Sequence, residues 1–209
     1  MCGIVGIVGA NTKTSRNLAS IVDQMTESIR HRGPDDGSVW CDLNAGVGLG
    51  HRRLSILDLS DNGRQPMQSD SGRWIVLFNG EIYNHLKIRR TILNSITISW
   101  RGWSDTETLI ELIEVLGFEK ALTEIDGMFA IAAWDKKLSK LFLARDRLGE
   151  KPLYYGTINN EGVFGSELKF LKHHPDHKMK MNQKALSAYM SLGYVPGNLC
   201  IYENMAKLL

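Results

Sequence analysis

Residues 74–78 read Trp-Ile-Val-Leu-Phe, apolar at every position, and such an unbroken run predicts a β-strand covered on both faces. The run stops abruptly at Asn79-Gly80. Residues 4–8 form a second short, β-branched run flanked by glycines. Shorter strand candidates lie around Val39 and Val47 and over residues 153–155 and 162–164. Residues 128–134 and 140–145 read as a strand pair joined at Asp135-Lys136-Lys137. Helical spacing links Leu18, Ile21, Val22, Met25 and Ile29, in a helix that Gly33-Pro34 must end near His31. Ser104 and Glu107 make a capping-box pattern ahead of the apolar face Leu109, Ile110, Leu112, Ile113 and Leu116. The spacing returns at Leu168-Leu171 and at Ala185, Leu186, Tyr189 and Met190. Clusters of strands separated by isolated helices predict an α+β sandwich, without the strict alternation of a doubly wound sheet.

With 209 residues, 43% of them hydrophobic and 23% charged, the chain can bury a real core. Its formal charge is +2, and the basic residues come singly or in pairs such as Arg52-Arg53, Arg89-Arg90 and Lys136-Lys137. No basic stripe forms, so nucleic acid is not an expected partner. Cys2, Cys41 and Cys200 cannot all pair within one chain and lack zinc-site spacing, which points to a reducing, cytoplasmic setting and no metal. The apolar opening lacks a basic leader and gives way to the polar stretch 11–17. No later stretch reaches membrane-spanning length, so no membrane is expected either.

Cys2 is the first candidate for chemistry. A cysteine is most often a small buried hydrophobe, but a small second residue favours removal of the initiator Met. Cys2 would then carry a free α-amine titrating near ~8, a base beside its own thiol. Alone, Met-Cys-Gly is a weak signal.

The blocks that follow strengthen it. Cys2-Gly3-Ile4-Val5-Gly6 resembles the opening of class II glutamine amidotransferases, which are N-terminal nucleophile hydrolases. In order come His31-Arg32-Gly33-Pro34-Asp35-Asp36-Gly37, His51-Arg52-Arg53-Leu54-Ser55-Ile56-Leu57-Asp58-Leu59, Gln65-Pro66-Met67 and Asn79-Gly80-Glu81-Ile82-Tyr83-Asn84. Ser104-Asp105-Thr106-Glu107, Gly127-Met128-Phe129-Ala130, Ala144-Arg145-Asp146-Arg147-Leu148-Gly149, Lys151-Pro152-Leu153-Tyr154-Tyr155 and Ser166-Glu167-Leu168-Lys169 complete the series. Together they look like the glutaminase domain of glutamine-hydrolysing asparagine synthetases, and the form Arg53-Leu54-Ser55-Ile56 is the synthetase one.

The resemblance implies a four-layer αββα sandwich with two mostly antiparallel sheets over residues 1–209, cut short before an ATP-pyrophosphatase synthetase domain. It implies Cys2 as nucleophile and Asn79 with the Gly80 N–H as oxyanion donors. Arg53 would take the substrate carboxylate, as its planar fork suits, with Leu54 and Ile56 flanking the ligand. Asp105, Glu81 and the Gly80 carbonyl would take the ammonium. Each has a bland alternative: a surface ion pair for Arg53, a core position for Leu54 and Ile56, a favourable first-turn carboxylate for Asp105, an Asn-Gly hairpin turn for Asn79-Gly80. His31, His51 and His85 read as structural, His173, His174 and His177 as a solvated loop, and Cys41 and Cys200 as inert. The expected partners are L-glutamine and the C-terminal synthetase domain of the parent chain, with a homodimer as a further option. ATP and Mg are expected only in that missing domain, and no cofactor in this chain. A catalytically silent regulatory or interaction module of the same fold is the rival.

Overall fold

A computed structural model describes residues 1–11, 14, 17–55, 60–94 and 97–209. Two sheets carry the fold. In the first, β1 (Gly3–Val8) lies between β3 (Val47–Arg53) and β9 (Glu161–Gly165), with β2 (Asp36–Asp42) outside β3. Beyond β9 lie β8 (Tyr154–Ile158) and β10 (Met205–Lys207). In the second, the order is β4 (Met67–Gln68), β5 (Trp74–Ile82), β6 (Gly127–Asp135) and β7 (Lys140–Arg145). Every strand pairing is antiparallel.

Period-two alternation sorts the apolar side chains into three cores. Val5 and Ile7 of β1 pack with Leu18, Val22 and Met25 of helix α1 (Leu18–Glu27). Val76, Phe78 and Ile82 of β5 and Ile131 and Ala133 of β6 pack under helix α3 (Asp105–Leu116), through Leu109, Ile110, Leu112 and Ile113. Between the sheets lie Ile4, Val47, Leu49, Ile75, Leu77, Ala130, Ala132 and Trp134. Helix, sheet, sheet, helix: the expected α+β sandwich forms. Helices α2 (His85–Thr91) and α4 (Phe118–Glu124) flank α3, and α5 (Gln183–Leu192) lies between β9 and β10 in the chain. Among the described residues no helix is long and apolar enough to cross a membrane.

The structure corrects the sequence reading in several places. The strand expected to stop at Asn79-Gly80 runs on to Ile82, because β6 pairs with it as far as Ile82↔Gly127. Gly80 permits this: a Cβ there would lie 2.2 Å from the Met128 carbonyl oxygen. Only half of the capping box forms. Glu107 N–H donates to Ser104 Oγ, but the Glu107 carboxylate accepts instead from the N–H groups of Arg101 and Gly102. The helix expected at Leu168 is a 3-10 segment, Leu168–His173. His174 is not on a solvated loop but fully buried, 2.7 Å from Glu161 Oε2.

Candidate active site

Alternation decides which polar side chains enter the space between the sheets. On β1 the even residues Ile4 and Val8 face inward, so Cys2 falls on the same side. On β3 the inward residues are Val47 and Leu49, and in step with them His51 and Arg53. On β5 they are Ile75 and Leu77, followed by Asn79 and Glu81. On β6, Met128 precedes Ala130 and Ala132. Where the apolar interlayer ends, these groups converge on one cleft of about 110 Å³. It is lined by Cys2, Arg53, Leu54, Gln65, Asn79, Gly80, Glu81 and Asp105, with Lys151 and Met128 among the other walls. All of the expected site residues but one therefore meet. Ile56 lies outside the described residues.

The segment around Cys2 is held by a chain of contacts that begins in the His31–Gly37 block. Arg32 Nε donates to the Cys2 carbonyl at 2.9 Å, and its Nη1 reaches Glu167 at 3.0 Å. Gly33 lies against the backbone of Arg52 and Arg53, where a Cβ would come within 2.4 Å of Arg52 C. Asp35 N–H donates to the Arg53 carbonyl and its carboxylate accepts from Ser55 N–H, fixing the turn out of β3. That turn delivers Leu54, whose N–H points at Cys2 Sγ, 3.4 Å away. Burial pushes the Cys2 thiol above its ordinary 9.0, although the Leu54 N–H, the chain's N-terminal ammonium and Arg53 pull the other way. With Met1 attached the thiol is thus protonated at neutral pH and needs a nearby base to act.

Arg53 is buried and donates to the Ser60 carbonyl at 2.8 Å. Its neighbour Arg52, by contrast, turns away to Gly33 O and to an ion pair with Glu27. Gly63 packs beneath the Arg53 guanidinium, with room for no Cβ: one would lie 2.2 Å from Nη2. Asp105 opens α3 and is buried. Its carboxylate accepts from Ile82 N–H at 3.0 Å and Thr106 N–H at 2.9 Å. Burial nevertheless raises its pKa from 3.8 to about 6, with Glu81 adding to the rise. A cationic ligand would return it to the ionised form.

Two donors in the cleft are unclaimed among the described residues. Asn79 is 1% exposed, and its buried Nδ2 finds no hydrogen-bond partner among the described residues. The Gly80 N–H is the second. Its β6 partner Phe129 turns its own N–H and C=O toward Asp146, so Gly80 faces away from β6, like Phe78 and Ile82. Those neighbours donate to Gln65 Oε1 and Asp105 Oδ2; Gly80 N–H between them aims along the strand edge bordering the cleft. Unsatisfied buried donors are rare and costly in a folded protein. Asn79 Nδ2 is one, and with the N–H of half-buried Gly80 next to it in the chain and Cys2 lining the same cleft, the pair suits negative charge on oxygen.

His51 has the surroundings of a structural residue. It is fully buried, desolvation lowers its pKa to about 4, and its Nε2 donates to the Phe78 carbonyl at 3.2 Å. Cys41 is half-buried and Cys200 buried, and burial raises both thiols. Gln65, Lys151 and Met128 were given no role from the sequence, although each belongs to one of its ordered blocks.

The two-sheet sandwich is a fold that amidotransferases share. The likeness extends to a solved glutamine phosphoribosylpyrophosphate amidotransferase from Bacillus subtilis, with a TM-score of 0.67 and 20% identity over 82% of this chain and 43% of that one. Within that class, residues 1–209 match the family model described as "Glutamine amidotransferase domain", and the chain belongs to that family. Its relatives include a putative glutamine-hydrolysing asparagine synthetase 2 of Methanocaldococcus jannaschii, 36% identical over 100% of this chain and 42% of the relative. Another is the glutamine-hydrolysing asparagine synthetase 2 of Bacillus subtilis, 40% identical over 95% of this chain and 26% of the relative. The chain thus spans less than half the length of these two proteins.

Proposed function

We propose that this chain hydrolyses L-glutamine to glutamate and ammonia, with Cys2 as an N-terminal nucleophile once Met1 is removed. The observation that carries the reading is the pair of unclaimed donors, Asn79 Nδ2 and Gly80 N–H, in the cleft that Cys2 lines. Arg53 takes the substrate α-carboxylate, with Leu54 and Ile56 alongside, and Asp105, Glu81 and the Gly80 carbonyl take the ammonium. The side-chain amide then lies over the thiol. The freed Cys2 amine accepts the thiol proton, and sulfur attacks the amide carbon. The carbonyl electron pair moves onto oxygen, where Asn79 and Gly80 hold it. Its return expels ammonia, which leaves with the proton from the amine, and a γ-glutamyl thioester remains. Water, deprotonated by the same amine, attacks the thioester; collapse releases glutamate and the thiolate regains its proton.

Each step uses a group of the chain or water, so no cofactor is proposed for this half-reaction. The longer relatives support a parent enzyme with a C-terminal synthetase domain beyond this one; there, in the cytoplasm, ATP and Mg would activate an acceptor carboxylate that receives the ammonia. The purified chain, with loss of Met1 verified by mass, is expected to form glutamate from glutamine. A glutamine-analogue electrophile is expected to label Cys2 alone; labelling of Cys41 or Cys200 in its place would refute the reading.

Two binding predictions follow from the recognition groups. An Asp105 carboxyl with a pKa of about 6 must be ionised to hold an ammonium. Glutamine binding to Cys2→Ala, measured by calorimetry, should be constant above pH 7 and weaken about tenfold per pH unit well below 6. A flat profile from pH 7 to 4.5 removes Asp105 from the ammonium role. The same raised pKa makes folding more favourable as pH falls from above 6 toward 3.8, since the folded form then binds the extra proton. Weaker binding in acid therefore cannot be ascribed to unfolding by this group. Gly63→Ala is expected to push the Arg53 guanidinium aside. KM should rise about tenfold with little change in kcat, the signature of lost uniform binding. A KM within twofold of the parent chain would show that Arg53 does not hold the carboxylate there.

A further inference from the structure

Asn79 and Gly80 can hold an oxyanion only if their strand edge is fixed, and the edge carries a gap. Strand β4 covers β5 at Ile75 and Val76 and goes no further. From Phe78 to Ile82 the outward-facing backbone groups have no strand partner among the described residues. Side chains replace it. Gln65 Oε1 accepts from Phe78 N–H at 2.6 Å, His51 Nε2 donates to Phe78 C=O, and Asp105 accepts from Ile82 N–H. Gly80 N–H stays open between them.

Gln65 is 5% exposed, and both ends of its side-chain amide are engaged. Its Nε2 donates to Thr106 Oγ1 at 3.2 Å, and its backbone carbonyl accepts from Ser38 Oγ. One planar amide thus spans the oxyanion strand and the start of α3, where Asp105 sits. We propose that Gln65 is a positioning residue for the oxyanion donors, acting through Phe78; the inference rests on the glutaminase reading above. The chemistry explains why an amide suits the place. It supplies one acceptor and one donor without charge. A carboxylate there would put a negative charge beside the developing oxyanion. A methionine of similar volume would satisfy neither contact, leaving the Phe78 N–H to water or to a shifted strand. Small misplacements of catalytic donors cost rate far more than they cost binding.

The test is Gln65→Met in the full chain with Cys2 exposed. With the strand edge loosened, kcat for glutamine is expected to fall about 10- to 100-fold while KM stays within about twofold. Glutamate γ-semialdehyde, whose aldehyde forms a tetrahedral adduct with Cys2, should lose inhibitory potency by a similar factor, because its oxygen uses the same donors. Glutamine binding to Cys2→Ala should be unaffected by adding Gln65→Met. An unchanged kcat, or a fall in kcat with unchanged aldehyde potency, would overturn the proposal. If Gln65→Met fails to fold, Thr106→Val releases only the Nε2 contact. A soluble Thr106→Val is expected to lose kcat about threefold at constant KM, and full kcat would count against the proposal. Failure of the parent reading looks different: the unmutated chain would make no glutamate, and the proposal would fall with it.

Discussion

Cys2→Ala is expected to abolish glutamate formation, by roughly a million-fold, the scale seen when a nucleophile that works as part of a unit is removed. Folding should survive the change. The side chain is half-buried at the entrance of β1, and its polar contacts are the two long ones to Leu54, at 3.4 and 3.7 Å. Glutamine should still bind, because Arg53 and Asp105 stand on other elements. The variant therefore separates catalysis from recognition: binding by calorimetry persists while ammonia release stops. A chain that retains Met1 should behave almost as badly. Its thiol lies above 9.0 because burial disfavours the thiolate, and the base meant to deprotonate it is locked in a peptide bond. Comparing the Met1-free and Met1-bearing forms thus tests the amine, and Cys2→Ala tests the sulfur. Residual hydrolysis in Cys2→Ala would mean another nucleophile. Absence of hydrolysis in the Met1-free parent would favour the silent module.

How far the sequence reveals this arrangement depends on how local the cause is. The long strands and α1 and α3 are legible because their own residues carry the signal, an apolar run in β1 and β5 and helical spacing in the helices. Strands β4 and β10 are not, since Met67–Gln68 and Met205–Lys207 are too short to show alternation and exist through pairing with β5 and β8. Helices α2 and α4, at seven residues each, are too short for helical spacing to declare itself. Asn79-Gly80 misleads in an instructive way: locally the dipeptide reads as a stop, and only the backbone of Phe129 shows why a glycine is needed within the strand. His174 was misplaced because its neighbours are polar, while its partner Glu161 lies in a distant strand. Within the cleft, the groups that would touch glutamine were named through the resemblance. Gln65 was not, because its task is to cover a strand edge, and the gap in that edge is visible only once β4 is seen to end.

Asn79→Ala is the second large effect, and rate and stability should move in different directions. The Nδ2 group is buried without a partner among the described residues, and an unsatisfied buried donor costs a folded protein about 1–3 kcal/mol. Removing it takes away no hydrogen bond that the fold uses. The midpoint of thermal unfolding is therefore expected to hold or rise, less whatever the lost packing costs at a position bordering the cleft. Turnover should fall by about 10²- to 10³-fold, equivalent to ~3 kcal/mol or more of transition-state stabilisation, with KM little changed. Asn79→Asp should be at least as slow, since a carboxylate keeps the shape but sets negative charge against the oxyanion. A strand residue kept only for packing would give the opposite pattern: a lower unfolding midpoint with kcat intact in Asn79→Ala. The combination of undiminished stability with lost turnover is what an unspent donor predicts, because the energy withheld from the folded state is released only when the amide oxygen becomes charged.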